Sequence, residues 1–286
     1  AQEQMWPALQ GPIWDLQNDP EGRYLFSAGQ DGTIKKWNLE SLGLDQTLNY
    51  HSFKVRKMAV SPDAKLLVAV SDDQTISVWD IASGELATVF KGHTDSILSV
   101  DFSESGEQII TGSADKSVRI WNINARQEFI QQITPSGRMR FLEQGPKNSL
   151  VVGSDTELEV FSSTGEVIYR WEPSDGENRI VSLAVSRNGE NVFAGTFSGD
   201  VFVWDTAEWS QRIIQRFDER PAKLACSSAG DLLAVSSGNS QFQIWQVGAL
   251  DDRPLYSGSL GDGGIQKIWF TPDGDEIYLS TKDYKL

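Results

Sequence analysis

The sequence predicts an all-β fold: seven four-stranded antiparallel sheets arranged radially, each burying its neighbours' faces. Three observations predict it. An aromatic residue recurs about every 41 residues, a turn signal stands fifteen residues before most of these marks, and no helical stripe of useful length interrupts them. Trp37, Trp79 and Trp121 are 42 residues apart, and Phe161, Trp204 and Trp245 continue the series at steps of 40, 43 and 41. A period near 41 divides the 286 residues into seven units, the sign of a repeat architecture.

Each unit opens on an inner strand, such as ILSVDFS (97–103), IVSLAVS (180–186) or IQKIWF (265–270). A turn follows: NDPEG, SPDA, SESG, SRNG or SSAG, closing on Gly22, Ala64, Gly106, Gly189 or Gly230. In such turns Pro fixes φ while Gly or Asn accepts a positive φ. The second strand comes next, as in YLFSAG, LLVAVS, QIITGS, LVVGS, NVFAGT and LLAVSS. The third strand carries the aromatic mark: TIKKWN (33–38), TISVWD (75–80), SVRIWN (117–122), DVFVWD (200–205) and FQIW (242–245). A fourth strand often completes the unit, as in LATVFK (86–91) and EFIQQI (128–133). Apolar alternation is imperfect, as expected of strands buried on both faces. Pro and Gly fall in the turns and not within the strands.

One four-stranded sheet cannot bury both its faces, whereas a radial set can. A buried Trp removes about 150–250 Å² from water, on the order of 4–6 kcal/mol as an upper bound, so one per sheet makes a sufficient core. The seventh turn, TPDG (271–274), predicts a further aromatic near position 289, beyond Leu286. The last unit is therefore cut within its third strand. The N-terminal stretch EQMWPALQ (3–10) has no unit of its own and is expected to form the outer strand of the last sheet.

The pairs Trp79-Asp80 and Trp204-Asp205, Trp-Asn at 37–38 and 121–122, and Gly92-His93 before an inner strand give the chain its closest likeness. It resembles the WD-repeat family over essentially its whole length. The resemblance implies a seven-bladed β-propeller, with blades at about 11–50, 51–92, 93–134, 135–175, 176–217, 218–260, and 261–286 plus 1–10. It also implies a hydrogen-bonded tetrad of His, strand hydroxyl, turn Asp and Trp. In the third unit these are His93, Ser113, Asp115 and Trp121, and in the second His51, Ser71, Asp73 and Trp79. The others depart from the pattern. Unit one has Gly29 at the hydroxyl position and no His, and unit four has Phe161 with Gly153. Units five and six keep Thr196 or Ser237, but Ser198 and Asn239 replace the Asp. With two histidines in the chain, five of seven units lack the full network.

Composition narrows the function. At 39% hydrophobic and 10% aromatic residues the chain is an ordinary globular one, and no apolar run reaches the roughly 20 residues of a membrane span. A net charge of −15 argues against binding a phosphate backbone or an anionic membrane, and suits basic protein partners. The single Cys226 permits no internal disulfide; at an inner-strand position equivalent to Phe102 it reads as a buried structural thiol. The chain begins at Ala1, which with the truncated last unit suggests a domain of a longer polypeptide; a cytoplasmic location is expected.

Candidate chemistry is sparse. One Cys and two His do not make a zinc site, and both histidines are expected at blade junctions. The turns SDDQ (71–74) and PDGDE (272–276) lack calcium-loop spacing, and GDGG (261–264) lacks the Lys and helix of a phosphate loop. With both histidines so placed no nucleophilic triad forms, and no metal or cofactor is expected. The alternative is a propeller hydrolase or lactonase-like enzyme using carboxylates at the central channel. A nucleic-acid-associated propeller is the least favoured.

Interaction surfaces remain. In the family, the usual docking face carries the loops entering the inner strands and the turns before the third strands. By register these present Phe53, Lys54, Asp72, Asp95, Arg179, Phe197 and Arg220. Phe197, at the tip of TFSGD, has no obvious core to fill, and Arg179 and Arg220 are expected near it. Aromatic and Arg residues are the usual energetic anchors of interfaces. The expected function is a non-catalytic scaffold, sensor or signalling platform whose partners are other proteins or other domains of the same polypeptide. Its bare units, without long insertions, suggest a bacterial style.

Overall fold

The computed structural model describes residues 12–103, 105–124, 129–137, 139–154, 157–172, 179–186, 188–216, 221–227, 229–237, 240–247, 253–260, 264–271 and 277–281. These fall into two compact units, within Ala8–Leu142 and within Glu143–Leu286.

Runs of β-branched and aromatic residues between turn signals become strands throughout. The first sheet contains β1 (Ile13–Asn18), β2 (Tyr24–Gly29), β3 (Thr33–Asn38) and β4 (Gly43–Asn49). The second contains β5 (Val55–Val60), β6 (Leu66–Ser71), β7 (Thr75–Asp80) and β8 (Leu86–Lys91). The third contains β9 (Ile97–Phe102), β10 (Gln108–Ser113), β11 (Val118–Asn122) and β12 (Phe129–Ile133). The fourth contains β13 (Met139–Gln144), β14 (Leu150–Ser154), β15 (Leu158–Phe161) and β16 (Val167–Trp171). The fifth contains β17 (Ile180–Val185), β18 (Asn191–Thr196), β19 (Asp200–Asp205) and β20 (Gln211–Arg216). The sixth contains β21 (Pro221–Cys226), β22 (Leu232–Ser237), β23 (Gln241–Gln246) and β24 (Tyr256–Ser259). Every sheet pairs its strands in chain order.

The expected count of seven four-stranded blades is corrected here. Among the described residues six sheets have four strands, and the last holds β25 (Ile265–Phe270) and β26 (Ile277–Thr281). The stretch 3–10, expected to complete that sheet, lies outside the described residues.

Two repeated local devices shape each sheet. At the turn between first and second strands, Gly22, Gly106, Gly189 and Gly230 have φ of +68°, +73°, +70° and +76°, and Ala64 holds the same place at +58° without a glycine's freedom. The buried residue opening the turn, Asp19 or Ser61, Ser103, Ser186 and Ser227, accepts the backbone N–H of the second strand through its side chain. The second device is a bulge. In six sheets the second residue of the innermost strand is left out of the ladder: Trp14, Arg56, Leu98, Val181, Ala222 and Gln266.

Packing follows the radial logic within each unit. The indole of Trp79 joins Phe26, Ile34, Met58 and Leu67 between the first and second sheets. Trp121 likewise packs on Val68, Val70 and Ile76 of the second sheet, and Trp245 on Phe193 and Val201 of the fifth. Trp79, Trp121 and Trp245 thus each seal their own sheet against the one before it. No helix among the described residues is long and apolar enough to cross a membrane.

Candidate functional site

The loops entering the innermost strands are stapled to the turns before the third strands by a repeated backbone bond. The amides of Gln30, Asp72, Ala114 and Phe197 donate to the carbonyls of Pro12, Lys54, Ser96 and Arg179 at 3.0, 3.2, 2.9 and 2.8 Å. The register that nominated these positions from sequence is therefore a physical one. Bulges are known to re-aim side chains, and here the bulged residue stands beside that staple.

In the unit within Ala8–Leu142 the bulged Trp14 is 41% exposed. Its indole N–H donates to Oε1 of Gln30 at 2.6 Å. Lys54 Nζ lies 4.6 Å, and the Arg56 guanidinium carbon 5.2 Å, from the ring centre. Arg56, the bulged residue of the next sheet, grips Asp72 with a fork, Nε to Oδ1 at 2.6 Å and Nη2 to Oδ2 at 3.1 Å, while Lys54 Nζ is 3.4 Å from Oδ2. Burial alone would raise the Asp72 carboxyl, but Arg56, Ser96 and Lys54 hold it below its ordinary value. Phe53 is 62% exposed. Asp95 is exposed and accepts the Ser96 amide at 2.7 Å. Lys54 and Asp72 of the nominated set are thus brought together, whereas Trp14 and Arg56 were missed. Their signal was local: an aromatic and a cation at the second position of two successive inner strands.

In the unit within Glu143–Leu286, Phe197 is 48% exposed and the Arg179 guanidinium carbon sits 5.5 Å from its ring centre. That pairing matches the expected proximity. Arg220 lies outside the described residues.

The two His networks form, with a different hydroxyl from the expected one. His93 Nδ1 lies 2.8 Å from Asp115 Oδ2 and its Nε2 2.8 Å from Thr111 Oγ1, to which Trp121 Nε1 donates at 2.8 Å. Thr111, not Ser113, joins imidazole to indole. Ser113 instead donates to the carbonyls of Asp95 and Ser96 at 3.0 and 2.9 Å, pinning the loop that carries Asp95. In the second sheet Ser71 does the same to the Phe53 carbonyl at 3.1 Å. There Ala69 occupies the Thr111 register, and Ser77, directly opposite it, supplies the hydroxyl to His51 Nε2 at 2.8 Å and Trp79 Nε1 at 2.9 Å. His51 Nδ1 meets Asp73 Oδ2 at 3.0 Å.

Electrostatics fix the proton positions. Burial raises the Asp115 carboxyl, but hydrogen bonds from Ser117, His93 and the Thr94 amide overcome it and bring it down to about 2. Asp73 is likewise brought to about 2 against burial, by His51 and Thr75. Burial holds the His93 imidazole below its ordinary value, against the pull of Asp115. At neutral pH this makes a neutral His93 with its proton on Nδ1, donating to a carboxylate, while Thr111 O–H donates to Nε2. The tautomer follows from the network.

Cys226, partly exposed as a residue, packs against the core of the fifth and sixth sheets, and burial together with Glu143 pushes its thiol up to about 12, so it stays protonated at neutral pH. Among the described residues no three His, Cys, Asp or Glu side chains gather as a metal site would require.

Comparison with known proteins agrees with this geometry. The family described as WD domain, G-beta repeat matches residues 6–38, 43–80, 84–122 and 165–205, together more than half the chain, and each match ends on a Trp-Asn or Trp-Asp mark. Among solved structures, the crystal structure of the RRP9 WD40 repeats superposes with a TM-score of 0.86 at 23% identity, covering 97% of this chain and 89% of that one. The structure of U3-55K gives a TM-score of 0.86 at 23% identity, covering 97% and 90%. At that identity the likeness establishes the fold. No curated protein matches the chain by sequence.

Proposed function

Because the chain belongs to the WD-repeat family, we propose that it serves as a non-catalytic protein-interaction platform, a scaffold, sensor or signalling domain engaging other proteins or other domains of its own polypeptide. One observation carries the reading. Phe197 leaves 48% of its surface in water while the Arg179 guanidinium lies over its ring, so an apolar face and a set of strong donors are held together at a loop end. Arg220 joins them by register, and Phe53, Lys54, Asp72 and Asp95 form the corresponding set in the other unit. No catalytic residue, metal or cofactor enters the proposal. A cytoplasmic setting suits its single thiol.

The test is affinity capture from source lysate with wild type and a Phe197→Ser, Arg179→Glu double variant of unchanged melting temperature. The expected result is a protein retained by wild type and released by the variant. A protein held equally by both removes these residues from the contact, and the lack of any reproducible partner overturns the platform itself.

A further inference from the structure

We infer that the Trp14 cradle receives an acidic, apolar-flanked peptide segment of a partner protein. This rests on the platform reading and names the partner's chemistry at one of its loop ends. The indole is fixed on several sides: Gln30 holds its N–H at 2.6 Å, and Lys54 and Arg56 stand 4.6 and 5.2 Å from the ring centre. Yet 41% of Trp14 stays in water. An immobilised, exposed indole loses little conformational freedom when covered, which is what makes an interface anchor effective.

Charge selects the occupant. Two cations share the single Asp72 carboxylate at this ring, leaving an excess of positive charge beside the indole. Arg56 spends its fork on Asp72, whereas Lys54, with 22% of its side chain exposed, keeps N–H donors for an incoming group. A Lys or Arg from a basic partner would be the third cation there. A Glu or Asp would be the second carboxylate, and an adjacent aliphatic side chain would cover the open indole. The local chemistry therefore opposes what the net charge of −15 suggests for the molecule as a whole.

Fluorescence anisotropy with labelled peptides tests this on the full chain. The probes are a short peptide alternating Glu and Leu, the same peptide with Lys for Glu, and the same with Ser for Leu. Wild type is expected to bind the Glu–Leu peptide above both others. Trp14→Ala and Lys54→Glu, each checked for an unchanged melting temperature, are expected to weaken it by roughly thirtyfold, the loss typical of a buried anchor. Equal or tighter binding of the Lys–Leu peptide overturns the acidic assignment and leaves the platform standing. Glu–Leu binding unaltered in both variants, or displaced fully by a DNA duplex, places the contact elsewhere or makes it a general polyanion effect, and overturns the proposal. Binding of no peptide overturns it as well; the Phe197 and Arg179 capture, which reads other residues, then decides the platform separately.

Discussion

The third and sixth sheets solve the same problem to different degrees. Both bury a tryptophan against the preceding sheet, at the same place in the ladder: Trp121 pairs with Ile109, and Trp245 with Leu233. Two residues further along the second strand, the third sheet has Thr111, which accepts the indole N–H and leads on to His93 and Asp115. The sixth has Val235 there, and Trp245 Nε1 has no partner among the described residues. Gln243 Oε1, two residues before the indole on the same strand, is also buried and unpartnered. The fifth sheet is intermediate. Ala194 stands at the hydroxyl register, and Trp204 Nε1 donates instead to the Tyr169 hydroxyl of the fourth sheet at 3.1 Å, with Trp209 stacked on the tyrosine at 4.6 Å. Tryptophan packing thus specifies the blade, and the polar network is an addition that individual blades can keep, replace or lose.

The comparison can be broken most strongly in the third sheet. His93→Ala leaves Asp115 and Thr111 buried without their central partner and is expected to cost about 2–3 kcal/mol in urea unfolding, since hydrogen bonds to charged groups are the strong ones. Acid should act next. Asp73 and Asp115 are held at about 2 against an ordinary 3.8, so their stabilisation is complete above the ordinary value and is lost as pH falls through about 2. After screening at partly open sites each contributes about 1–2 kcal/mol, and Asp115→Asn should flatten its share of that acid limb. His93 adds a milder slope: its imidazole is held below 6.5, so stability declines as pH drops under that value toward the folded-state titration, and removing His93 should abolish this portion.

Smaller effects sharpen the contrast. Tyr169→Phe should cost about 1–2 kcal/mol, because Trp204 then has a buried donor without an acceptor. Val235→Thr offers Trp245 the hydroxyl its sheet lacks. It should be neutral or stabilising by up to about 1 kcal/mol, where the same exchange at an ordinary core site destabilises. A clear loss at Val235 would mean that the indole of the sixth sheet does not await this partner.

Much of this was legible in the sequence. Gly22, Ala64, Gly106, Gly189 and Gly230 were nominated as turn closers and all have positive φ. The Trp marks fixed the third strands, and register placed Arg179 beside Phe197. The tetrad hydroxyl was misplaced by two residues for a physical reason: strand side chains repeat every second residue, so Thr111 and Ser113 share a face, and only three-dimensional reach decides that one meets the imidazole and the other the loop carbonyls. Ser77 was invisible for a related reason, since it serves from the opposite strand where Ala69 leaves room. Trp14 and Arg56 escaped because a bulge takes its residue out of the alternation on which the reading depended.

That bulge has a consequence for how such a molecule changes. Trp14, Arg56, Leu98 and Val181 are an indole, a guanidinium and two aliphatic chains at one equivalent place, and none of them takes part in strand pairing. Heredity can therefore rewrite this residue, sheet by sheet, while the instructions for folding stay untouched. Shape and recognition are thereby separable, because a new specificity needs a new side chain at a position that stands outside the strand ladder.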